Sequence, residues 1–469
     1  MIAIAYVALF AIPLLAAVMI LTYRGSTRVV AIALIGGWLA MPLLRVTYVG
    51  LPTMDKESML AFSILLATWL ARLGSYPPVK LRWFDLPVIV LCLAPIASSL
   101  SNHLGLYDGV SRAVRQTFIW GAPYAIGRMI CVDRASLMVI GRVLLMGVVC
   151  YTPLCLLESR LAPQLHQWIY GIPGRVGWEN VGFYGPLKWK PTVFLQSALE
   201  LTPLMGMGFL FGWWMLYRRR LARVGMFTMT QLAVIALVAT LMGKSLGGVT
   251  LTFAGVCVLY LGHRFQTRAF LIALMALAPL YAITRTTGMW NGRALVEFIA
   301  ENVSARRSAS LDYRMANEDI LVAKALEQPT FGWGGWGRNR VYDEEGRDRS
   351  VTDGQWVITF GTDGLVGLIS WLGILLVPAW LIVTRYSSRT AWTDPQNAIL
   401  QLGAVVLALH SIDCLANAMP SPIYYLIAGG LCSVLHNERQ PRRTSGRKGS
   451  QLQNRSEKPA ATATSLRLV

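Results

Sequence analysis

Four stretches of this chain hold side chains suited to handling an anion. Arg175, Lys188 and Lys190 fall in the connection 158–192, and Lys244 stands alone in a tight turn between two apolar segments. Ser310-Leu311-Asp312-Tyr313-Arg314 opens a stretch with a helical pattern from about residue 311 to 327. The fourth pairs Phe331-Gly332-Trp333-Gly334-Gly335-Trp336-Gly337-Arg338 with Thr352-Asp353-Gly354-Gln355-Trp356. Guanidinium forks match phosphate oxygens two at a time, and ammonium groups supply point charge. Cations converging at a membrane surface therefore suit a phosphate or pyrophosphate. Gly-Trp repeats give a backbone that approaches a ligand closely, beside flat faces for stacking on sugar rings. Each feature also has a plain structural use. An external arginine often pairs with a nearby carboxylate, Asp353 has Arg338, Arg340 and Arg349 in its own loop, and aromatic-glycine runs fit an interfacial belt. Glu200, inside an apolar segment, either lines the same cavity or hydrogen-bonds a neighbouring helix.

Other chemistries drop out. Gly243-Lys244-Ser245 has the end of a phosphate-binding P-loop, but Val238 stands where that motif needs glycine, and a membrane helix precedes it instead of a strand. The five histidines, His103, His166, His263, His410 and His436, lack metal spacing, so no zinc site is expected. The seven cysteines lie in or beside apolar segments without a CxxC and read as small packing residues, with neither disulfide nor metal. No cofactor is expected.

The elements that must position these residues are membrane helices. Of 469 residues, 55% are hydrophobic and only 14% charged, with mean hydropathy +0.49. A soluble domain carries about 25% charge. Apolar stretches recur near 2–22, 29–44, 58–71, 86–101, 113–130, 135–157, 193–216, 226–242, 246–262, 269–284, 364–384, 397–414 and 420–435, and the first reads as a retained span. At 1.5 Å per residue most approach a roughly 30 Å hydrocarbon core. The net charge of +19 comes from 43 Lys and Arg against 24 Asp and Glu, with the cations in short caps between the stretches. That pattern fits the positive-inside rule and anionic lipid, and excludes nucleic acid as the partner. With the basic end of the chain inside, the inside connections are compact and basic. The outside ones are 45–57, 102–112, 158–192, 243–245, 285–355 and 415–419. The loop 285–355 is nearly neutral, with ten basic and eleven acidic residues. The expected fold is an all-α polytopic bundle of about 12–13 spans with one long, partly helical external loop. It divides into N-terminal membrane helices (1–157), a core (158–385) containing the loop, C-terminal membrane helices (386–435) and a disordered basic cytoplasmic tail (436–469).

The order of the pieces resembles a known family. Arg175 in Arg-x-Gly spacing with its loop precedes Lys-Pro-Thr-Val-Phe (190–194), the Gly-Lys-Ser turn, a Ser…Arg helix, Gly-Trp-Gly-Gly-Trp-Gly, and Thr-Asp-Gly-Gln-Trp with Gly364 and Gly367 following. This resembles the O-antigen ligase and O-antigen polymerase (Wzy-type) superfamily of membrane glycosyltransferases, over roughly residues 170–385 and most specifically over 310–367. The resemblance implies a multi-pass protein of the bacterial inner membrane with its long loop periplasmic and its C-terminus cytoplasmic. Such proteins transfer glycan from an undecaprenyl-pyrophosphate carrier to a glycan or lipid-linked acceptor, with inversion and without metal. The family pattern has Ser-Arg-Gly where this chain has Gly243-Lys244-Ser245, so Lys244 keeps the charge but loses the fork. Arg314 matches the loop-helix arginine. Asp353, eleven residues before Gly364, falls where the family histidine stands, a departure that favours polymerase over ligase. By this resemblance Asp353, Arg314 and Lys244 are the catalytic residues. Arg175, Lys188, Lys190, Arg338, Trp333 and Trp336 bind substrate. Two rival readings are a transporter or flippase of lipid-linked or anionic substrates and a non-catalytic assembly protein.

Overall fold

The computed structural model describes residues 2–48, 53–73, 79–162, 164–174, 189–302, 304–335, 337–419 and 421–438. Arg175, Lys188, Trp336 and the tail from 439 lie outside the described residues. The chain is 75% helical, and the only strands described are two short hairpins, Arg45–Val46 with Met54–Asp55 and Arg223–Val224 with Phe227–Thr228. It is an all-α bundle.

Seven helices are long and apolar enough to cross a membrane: Ile2–Thr22, Trp83–Ser101, Arg134–Leu161, Leu246–Arg264, Ala269–Thr286, Gln355–Arg385 and Pro395–Ala416. The protein is membrane-embedded. The other six predicted spans also form helices, but these are shorter or more polar. Thr27–Ala40 and Met229–Met242 have 14 residues each, so each rises only about 21 Å. Lys56–Arg72 and Pro422–Asn437 are nearly as short. The stretch expected at 113–130 begins earlier, at Leu106, and runs through a π-helical turn, Thr117–Gly121, into Ala122–Ile130. Ala198–Tyr217 starts five residues later than expected, because Pro191 and Val193, with φ +55°, keep 190–197 out of helix. The last helix continues to Asn437, and Glu438 pairs with Arg134 at 2.6 Å, so residues 436–438, expected in a disordered tail, are part of the bundle.

Side-chain caps fix several helix starts. Asp55 and Ser58 form a reciprocal capping box, as do Thr228 and Gln231, and Asp133 accepts from Ser136 N. Proline inside Ile2–Thr22, Arg134–Leu161 and Gln355–Arg385 is tolerated as membrane helices allow.

Polar contacts collect at the two ends of the bundle. One end joins Arg72 to Gly25, Arg128 to Asp85 and Arg218 to His263. The other joins Arg338 to Asp108 and Arg314 to Asp353, from connections grouped together by charge counting, and it joins Arg115, from just inside a predicted span, to Asp55. Arg134–Leu161 shows both ends at once. Its first residue binds Glu438, while Glu158, about 36 Å along the axis, accepts from Thr192 and Val193.

The long loop is structured. It contains the helices Arg293–Asn302 and Ala305–Leu326, the second starting six residues before the expected stretch. Glu318 anchors it by accepting from Tyr281 at 2.6 Å, Trp356 at 2.9 Å and Arg285 at 3.2 Å. Burial pushes the Glu318 carboxyl above its usual range even though these donors oppose the shift.

Candidate functional site

Arg314 sits mid-helix in Ala305–Leu326, and Asp353 lies just before Gln355–Arg385. Arg314 Nε is 3.4 Å from Asp353 Oδ2, and its Nη1 donates to Ala416 O at 3.0 Å. The two side chains are 33% and 38% exposed. An exposed pair of this kind contributes only about 0–1 kcal/mol to stability, so the fold gains little from it. Asp353 thus pairs with Arg314 and not with its loop neighbours. Among those, Arg338 forks onto Asp108 at 3.1 and 3.2 Å, and Arg340 pairs with Asp348.

Lys244 reaches the same end by another route. Gly243 packs on Thr202, where a Cβ would lie 2.1 Å from Oγ1. Ser245 caps Leu246–Arg264 by accepting from Gly248 N. Lys244 between them adopts φ +53°. The left-handed region costs a side-chain-bearing residue roughly 1–2 kcal/mol. Its Nζ donates to Trp189 O at 3.1 Å, and burial followed by the charge of neighbouring Lys190 pushes the ammonium below its usual range.

Between Lys244 and Arg314 lie hydrogen bonds interleaved with short runs of backbone. Trp189 N donates to Ser159 O, and Glu158 Oε2 accepts from Thr192 N at 2.8 Å and Val193 N at 2.7 Å. Lys56 Nζ donates to Phe194 O at 3.0 Å and lies 4.4 Å over the Trp38 ring. Gln196 bonds Glu200 and Glu57. Ser197 meets Met419, Asn417 donates to Asp413, and Ala416 O returns to Arg314. Glu200 therefore belongs to this rim network.

The glycine-tryptophan segment does a different job from the one its composition advertises. Gly332 (φ +69°) and Gly364 (φ +66°) lie at a backbone crossing. A Cβ on Gly332 would meet Asp363 N at 2.6 Å, and one on Gly364 would meet Thr330 O at 2.3 Å. Only glycine fits both the conformation and the approach. Gly364 breaks Gln355–Arg385 into two helical pieces. Trp333 N and Gly334 N donate to the carbonyls of Gly361 and Thr362 beside the break. Ser98 and Asn102 complete the junction, donating to Thr362 O and Gly332 O. The Trp333 indole donates to Lys324 O, and Lys324 Nζ sits 3.7 Å over its ring, so that face is occupied.

Several charged residues here were not singled out from the sequence. Arg112 binds Asp363 at 3.2 Å below Gly335, Arg115 binds Asp55 at 3.3 Å, and Lys56 and Glu158 hold the 190–194 segment. The available signal was a charge at the edge of an apolar stretch. Arg112 and Arg115 are one helical turn apart, and Lys56 and Glu158 each fall within two residues of a predicted span boundary. Among the described residues no cluster of three potential metal ligands occurs. The chain matches no family model and no curated protein.

Proposed function

We propose that this chain is a membrane glycosyltransferase that polymerises or ligates a glycan carried on a polyprenyl pyrophosphate, with polymerisation favoured. The observation that carries the reading is the water-accessible Arg314–Asp353 pair, linked through rim contacts to Lys244. In this reading the donor pyrophosphate draws the Arg314 fork onto its oxygens, with Lys244 and Lys190 adding charge. Asp353, released from Arg314, takes the proton of the acceptor hydroxyl. The hydroxyl oxygen bonds the anomeric carbon as the carbon–oxygen bond to pyrophosphate breaks, and that electron pair leaves on the polyprenyl pyrophosphate. Stabilising the growing charge on the leaving group is where fixed cations contribute most. Asp353 at the position of the family histidine supports polymerase over ligase. The gathering of ion pairs at the bundle ends, with none along the middle among the described residues, supports transfer over passage through the bundle.

The test is to replace Arg314, Lys244 and Asp353 singly (R314A, K244A, D353N) and profile surface glycan length and amount in cells. Each variant should lower polymer output by roughly 10²-fold or more, with R314K restoring part of it. Wild-type length and amount in all three variants would refute the assignment.

A further inference from the structure

At the end of the bundle opposite Arg314 and Asp353, a groove of about 490 Å³ opens between Thr27–Ala40, Arg134–Leu161 and the Arg223–Val224/Phe227–Thr228 hairpin. Its walls are apolar, formed by Val139, Val143, Met146 and Cys150 on one helix and Ile32 and Ile35 on the other. The spacing 139, 143, 146, 150 keeps one helix face along the groove for about 16 Å, half of a roughly 30 Å hydrocarbon core. Gly36 opens the wall, because a Cβ there would meet nothing within 4 Å.

Arg28, Arg142 and Arg223 also line this groove, and all three are exposed. Carboxylates at this end are engaged elsewhere. Asp85 holds Arg128, Glu438 holds Arg134 and Arg385, and Asp133 caps its helix. Among the described residues none pairs with these three arginines. Arg28 stands in the first turn of its helix, where the macrodipole disfavours a cation, so helix stability does not account for it. Three guanidinium groups beside an apolar channel one leaflet deep match a ligand with a phosphate at one end and a hydrocarbon chain behind it. We propose that this groove is a binding site for an anionic phospholipid. Its phosphate sits among Arg28, Arg142 and Arg223, and an acyl chain runs along Val139–Cys150. A free phosphate would use the cations and leave the channel unexplained.

The experiment uses the purified full chain in detergent with added phosphatidylglycerol, phosphatidylcholine or inorganic phosphate, reading retained lipid by native mass spectrometry and the melting temperature. Wild type should retain phosphatidylglycerol and be stabilised by it over phosphatidylcholine, while inorganic phosphate changes nothing. Replacing all three arginines by glutamine should weaken phosphatidylglycerol binding roughly a hundredfold, at about tenfold or less per charge. Gly36→Leu keeps the charges, improves helix propensity and fills the channel, so it should abolish retention in a folded chain. It decides the matter even if the arginine variant does not fold. Equal retention of the two lipids by wild type, undiminished retention by Gly36→Leu, or equal stabilisation by inorganic phosphate would each overturn the proposal.

Discussion

Gly332 and Gly364 have little freedom to change. Each combines a positive φ with a backbone approach under 3 Å from a would-be Cβ. Replacement by alanine has to bend the loop, the helix break or both. The expected cost is about 2–4 kcal/mol per site, read as a lower melting temperature in detergent. Gly36→Ala, where nothing lies near, is the control and should be neutral or stabilising. Glu158 is constrained by hydrogen bonding. Its carboxylate accepts three backbone N–H groups, from Leu165, Thr192 and Val193. Glu158→Gln replaces an acceptor oxygen by a donor and should cost about 1–3 kcal/mol. Trp189, which binds Lys244, hangs from the same stretch, so on the proposed function glycan output should fall as well. At this scale the motifs were legible as patterns of residue type but ambiguous in purpose. Gly-Lys-Ser reads as one unit, yet its glycine serves packing, its serine caps a helix and only its lysine faces the rim network.

The elements around the loop are joined by ion pairs whose strength depends on pH. Burial acts to raise the Asp108 carboxyl, but the hydrogen bonds from Arg338 and Ser99 outweigh it and hold the group below its ordinary range. A depressed carboxylate contributes stability above its unfolded-state pKa of about 4, and that contribution is lost as pH falls through the lower folded value. Acidification through this range should therefore free Arg338 and increase proteolysis of the 338–352 segment. Asp108→Asn should show the loosened state already at neutral pH and lose the acid dependence. Helices of this region were legible from apolar runs, but their edges were not. Gln355–Arg385 starts nine residues before the apolar run because Trp356 and Phe360 pack inward, the Trp356 indole donates to Glu318 of the loop, and Gln355 donates to Thr359 within the same turn. Ala198–Tyr217 starts late because proline and a left-handed Val193 intervene.

Across the whole molecule, charge separates into two layers held apart by apolar helix. Counting cations in connections was enough to group the segments correctly, since the contacts join them in those same groups. The sequence did not reveal which acceptor each cation within a layer binds, because partners such as Arg115 and Asp55 or Arg314 and Ala416 lie 60 and 102 residues apart. A cysteine introduced at Glu345 and one at Gln266 should be labelled by an impermeant maleimide from opposite faces of sealed cells or vesicles. Labelling of both from one face would break the two-layer arrangement. The crossing of Gly332 over Gly364 has a consequence for exchanging parts between proteins of this architecture. The glycine-tryptophan turn and the interrupted helix behave as one interlocked cassette, like a hook and its eye. A chimera that swaps 327–338 alone should misassemble, whereas one that carries 327–367 together should express and fold.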